Sequence, residues 1–146
     1  VHGGYSPALN ELELSPKEIN DLIRSRLGPP KWPDETDLAT SLAWNMQGPM
    51  WYRGYFNRYA TEFGPMPTDA QLQSILKRHN ANHIVVGHSV VDDVGWIDSN
   101  RRLIGVDVRW ADPEEAEGLL LEDGNLTRVD SKGTRRPLNN LDNISH

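Results

Sequence analysis

Apolar positions along the chain recur at helical spacing in its first half and at strand spacing in its second. Ile19, Leu22, Ile23 and Leu27 fall on one helical face. Ser15, Pro16 and Glu18 precede them as N-cap, first-turn proline and capping-box acid, and Gly28 with the prolines after it ends the predicted helix. The segment GPPKWPD then reads as a loop, with Asp34 or Thr36 capping a short helix towards Trp44. Thr68 and Gln71 make a second capping box ahead of Leu72, Ile75 and Leu76, predicting a helix that ends near His79 and Asn80. It feeds HIVVGH, a short buried strand stopping at Gly87. VGWIDS, RLIGVDVRW and EGLLLE read as further strands, and Asp123-Gly124 as a hairpin turn into NLTRV. Residues 131–146 lack periodicity and read as a polar tail.

This order predicts an α/β fold on a mixed sheet. Short turns between the last strands leave no room for the crossover helices of a purely parallel one. With 146 residues, 37% of them hydrophobic and 25% charged, the chain is one domain's length with enough apolar matter for a core. A net charge of -6 argues against nucleic acid as a partner, and no apolar run approaches membrane-spanning length, so no membrane partner is expected. The sequence has no cysteine, which excludes a disulfide framework, a thiolate-bound metal and thiol catalysis by these residues. The opening Val1-His2-Gly3-Gly4 resembles the end of a strand breaking into a glycine-rich loop, so the expectation is either a fragment or one product of a cleaved precursor, or a frayed terminus that happens to look like one.

His2 and His88 each stand beside glycine at a predicted strand end, where the missing side chains leave room to present an imidazole to a ligand. Each could bind a metal, satisfy a loop carbonyl or simply face water. His79 reads as complementing a helix dipole, and His83 as lying on the solvent side of its strand. Arg53, among Trp51, Tyr52, Tyr55 and Phe56, reads either as an anion clamp or as a surface arginine stacked on a ring. Tyr5 is placed to shape the same pocket, and Trp44 and Trp51 read as core or cleft wall. Asp107, in an apolar strand, needs a partner: it braces a histidine from behind or pairs with Arg109. Glu114, Glu115 and Glu117 read as a solvated acidic face. No phosphate-binding glycine loop, dinucleotide fingerprint or nucleophile elbow is present.

VHGG followed by YSP, then GPMWYRG, then IVVGHS, in that order and spacing, resemble segments of the calcineurin-like metallophosphoesterases, in particular their phosphoprotein-phosphatase-like and Shewanella-type bacterial branches. The resemblance covers residues 1–130 and implies the carboxy-terminal portion of a sandwich of two mixed β-sheets flanked by helices. It further implies phosphomonoester hydrolysis by a hydroxide bridging two metal ions of manganese, iron or zinc. His2 and His88 would be metal ligands, Arg53 would bind the substrate phosphate, and Asp107 and Tyr5 would stand behind them. The family's D-x-H, G-D-x-x-D-R-G and G-N-H-E/D motifs are absent, so the resemblance implies an amino-terminal half present as a separate chain. Residues 9–47 would be a helical insertion serving as a lid. The competing expectations are a non-catalytic interaction module built on half of that fold, and a carbohydrate- or peptide-binding domain using the aromatic patch around Trp51.

Overall fold

The computed structural model describes residues 2–27, 37–109 and 111–141. The expected strand end at Val1, the loop at 28–34, the caps Asp34 and Thr36, Trp110 and residues 142–146 lie outside them.

The capping signals act where the sequence places them. Helix α1 spans Pro7–Glu11, a turn the apolar pattern did not predict, and Ser6 caps it by accepting from the Leu9 amide. Helix α2 spans Pro16–Arg24 with the Ser15–Glu18 box formed. It stops before Leu27, which is 68% exposed rather than part of the apolar face; Ile19 is the residue α2 buries. Helix α3, Leu38–Trp44, is capped by Asp37. A 3-10 turn at Asn57–Tyr59 leads into α4, Ala60–Phe63. Helix α5, Asp69–Arg78, carries the Thr68–Gln71 box and buries Leu72, Ile75 and Leu76.

Three strands are shorter than their predicted runs, β1 Ile84–Val86, β2 Gly95–Trp96 and β3 Leu103–Gly105; β4 Glu117–Glu122 and β5 Asn125–Asp130 fill theirs, and β6 Arg135–Arg136 and β7 Asn139–Asn140 were not predicted. One sheet, ordered β1-β3-β2-β7, is mixed, with β1 parallel to β3, β3 antiparallel to β2, and β2 parallel to β7. The other, β4-β5-β6, is antiparallel throughout, which corrects the expectation of two mixed sheets. Its strands are joined by tight turns, and only antiparallel neighbours can be joined that way. At the first turn Asp123 and Gly124 both take positive φ, 50° and 79°, as a two-residue hairpin loop requires.

The segment expected to be a polar tail is built into both sheets as far as residue 141. Arg135 pairs with Val129, Asn139 pairs with Gly95, and Leu141 donates to the Trp96 carbonyl at 2.7 Å. Strands of two residues leave no periodicity to read. Leu9, Leu72, Ile75, Val86, Val94, Leu103 and Ile104 form the core between α1, α5 and the mixed sheet. The turn before β3 is fixed by Asp98, which accepts from the Arg102 and Leu103 amides while Arg102 bridges to Asp69.

Candidate functional site

Three loops converge at the carboxyl end of β1. The Gly3 amide donates to the Pro49 carbonyl at 2.9 Å, and the Gly87 amide to the His2 carbonyl at 2.8 Å. A side chain at Gly3 would begin 2.9 Å from Met50 and Tyr52 main-chain atoms, so the glycine permits this close approach. Behind it Tyr55, fully buried, donates its hydroxyl to the Tyr5 carbonyl at 2.5 Å and accepts from the Tyr5 amide at 3.2 Å.

The result brings together the three residues singled out from the sequence. His2 Nε2 lies 2.9 Å from His88 Nδ1, and Arg53 Nη2 lies 2.5 Å from His88 Nε2. A guanidinium only donates, so His88 Nε2 must accept. Neutral His88 then carries its proton on Nδ1 and donates it to His2 Nε2. The array is directional: Arg53 to His88 to His2. His88 is held at φ 61°, in the left-handed region, which aims its ring back between the other two. Arg53 also donates to the Tyr59 hydroxyl at 3.5 Å and stacks over that ring at 5.2 Å. Burial alone would push the Tyr59 phenol up, but the Arg58 and Arg53 guanidiniums outweigh it and leave it below its ordinary value. Tyr59 was not singled out from the sequence; its position six residues after Arg53 in the aromatic segment was the available signal.

Arg53, Tyr59 and His88 line a cleft of about 590 Å³ shared with Asp92, Arg109 and Asn140. None of the described residues between 9 and 47 lines it. Burial, then the charges of Arg53 and His2, hold the His88 imidazole below its usual 6.5, with Asp107 pulling the other way. On acidification through 6.5 the unfolded chain takes up this proton before the folded one does, so the folded state loses stability between 6.5 and the lower folded value. Protonated Nε2 can no longer accept from Arg53. The melting temperature is therefore expected to fall more steeply from pH 7.5 to 5 in the wild type than in His88→Gln; equal slopes would contradict the assignment.

Other expectations are redirected. The Asp107 carboxylate hydrogen-bonds neither histidine nor Arg109 among the described residues. It acts on His88 through charge, while its main-chain carbonyl accepts from Val91 at 2.9 Å. Tyr5 turns its ring away from the cleft onto His79, centroids 4.4 Å apart, and burial raises its phenol to about 12. His79 does not serve the α5 dipole as a cation, because burial, followed by the charge of Arg78, lowers its pKa. His83 is exposed as expected and reaches the Arg101 carbonyl at 3.0 Å. Glu117 is not on a solvated face: it accepts from the Val94 amide at 3.1 Å and faces Arg128 at 3.5 Å. The expected two-metal centre is also corrected. Among the described residues no group of three or more His, Cys, Asp or Glu side chains could hold a metal ion, and the facing nitrogens of His2 and His88 bond to each other and to Arg53.

No family model and no curated protein matches the chain. Solved structures do. A cold-active protein-tyrosine phosphatase of a psychrophile Shewanella species is 34% identical over 95% of this chain and 40% of its own, with a TM-score of 0.78. A second structure of a cold-active protein tyrosine phosphatase is also 34% identical, over 96% of this chain and 39% of its own, with a TM-score of 0.77. The chain thus spans about two fifths of the length of the structures it matches. The calcineurin-like metallophosphoesterase assignment is withdrawn on these findings: no family model matches, and the similar structures are named as protein-tyrosine phosphatases. The expected separate amino-terminal chain is corrected too, since in those structures the counterpart of these residues belongs to one longer polypeptide.

Proposed function

We propose that this chain contributes the phosphate-binding part of a phosphatase site that acts on phosphomonoesters, phosphotyrosine among them. The observation that carries the reading is the Arg53–His88–His2 array at the cleft. Tyr59 takes one N–H from Nη1 and His88 one from Nη2, leaving the guanidinium's remaining N–H donors for phosphate oxygens. Phosphoryl transfer gathers charge on the equatorial oxygens, so a fixed cation at that position stabilises the transition state more than the ground state. The His88 Nδ1–H, donated to His2 Nε2, fixes the second imidazole beside the guanidinium. With no cysteine in the sequence, this chain offers no thiolate to take up the phosphoryl group. The similarity to structures named as protein-tyrosine phosphatases supports this reading of the substrate.

Titration with inorganic phosphate, followed through the His2 and His88 imidazole resonances, tests this directly. Saturable shifts at both rings that weaken with added salt are expected. Rings indifferent to millimolar phosphate would remove the reading, and phosphate binding without phosphotyrosine turnover in the full-length protein would favour the interaction module.

A further inference from the structure

Trp51 stands two residues before Arg53 and is 51% exposed. Its ring meets His88 edge to face, centroids 5.6 Å apart at 78°, so the same imidazole that holds Arg53 also steadies the indole. A half-exposed indole offers a large, rigid apolar face, the kind of surface on which Trp is enriched at binding interfaces. Val90, 46% exposed, lines the cleft beside His88, and its main chain is fixed by Arg58 at 2.6 Å. Met50, 40% exposed, extends the apolar strip along the loop. Trp51 is not among the residues that line the cleft and reaches it through its ring contact with His88, beside a polar floor bearing Arg53, Arg58 and Arg109. At about 590 Å³ the cleft has room for more than one phosphoryl group.

From this juxtaposition we infer that Trp51 is a specificity-determining residue: it takes the aromatic ring of an aryl phosphate whose phosphoryl group sits on Arg53. The inference rests on the phosphatase reading and deepens it, because it selects aryl over alkyl phosphomonoesters. An alkyl ester would reach the same guanidinium but leave the indole uncovered. An aryl ester covers it, and an offset or edge-on ring pair adds to the area buried.

The test compares phenyl phosphate with ethyl phosphate as ligands of the wild type, Trp51→Phe and Trp51→Ala, with the Trp51 indole N–H resonance as a second readout. The wild type is expected to prefer phenyl phosphate by about two- to tenfold, with the indole signal shifting for that ligand. The preference should persist in part in Trp51→Phe and fall to about unity in Trp51→Ala. Equal wild-type affinities, or a preference that survives Trp51→Ala, would overturn the role of Trp51 and leave the phosphate site intact. Failure of both esters to bind would overturn the phosphatase reading and the inference with it.

Discussion

Arg53→Ala is expected to lower kcat/KM for an aryl phosphate by about 10²–10³-fold, the usual loss when one preorganised donor to a developing oxyanion is removed. Arg109 also lines the cleft but is exposed, whereas Arg53 is held by His88 and Tyr59. Arg58 lines the same cleft, but one of its nitrogens donates to the Val90 carbonyl and its guanidinium stacks on Phe56 and Tyr59 at 4.8 and 5.1 Å. Arg53→Lys keeps the charge but has no planar fork, so it cannot hold His88 and Tyr59 while also presenting donors to phosphate; only part of the activity should return. A second readout separates this role from general damage. Arg53 lowers the proton affinity of His88, so in Arg53→Ala the His88 imidazole should titrate at higher pH than in the wild type. Near-normal turnover in Arg53→Ala would place the phosphate elsewhere.

Tyr55→Phe should be the most damaging single-atom deletion in the fold, costing about 2–4 kcal/mol. The ring stays and no cavity opens, but the Tyr5 amide and carbonyl both lose their partner in a buried setting, at about 1–3 kcal/mol for each orphaned group. Burial holds the Tyr55 phenol well above its ordinary range, so the hydroxyl proton donated to Tyr5 is present at any working pH. For a domain of this size the loss corresponds to roughly 5–15 °C in melting temperature. The bond also staples the Gly3-Gly4 strip to the loop bearing Arg53, so His2 should drift from His88 and phosphate binding should weaken before the fold is lost. A melting curve unchanged by Tyr55→Phe would show that water satisfies Tyr5 instead.

What the sequence made legible was local. Ser15 with Glu18 and Thr68 with Gln71 announce helix starts because both partners of a capping box lie within one turn, and Asp123-Gly124 announces a hairpin because the turn demands its own backbone angles. His2, Arg53 and His88 could be singled out by their loops, but not as a hydrogen-bonded array. That depends on a glycine at position 3 that lets two main chains touch and on a tyrosine fifty residues from its acceptor. The metal expectation failed at the same step. An imidazole beside a glycine looks the same in sequence whether its nitrogens face an ion, a guanidinium or another imidazole. Strands β6 and β7 were illegible for a different reason: two residues carry no alternation, and their pairing is decided by β5 and β2.

The backbone at His88 sets two selective pressures against each other. At φ 61° a side chain is tolerated at a cost that glycine would not bear. Gly87 stands next door with no positive φ, so the strained conformation falls on the one residue whose ring joins Arg53 to His2. Glycine at this position would give a better-relaxed loop without an imidazole. A relative bearing glycine there would keep the fold, gain a little stability and lose the array. Under the proposed phosphate role, position 88 is expected to separate relatives that keep the array from those that have lost it.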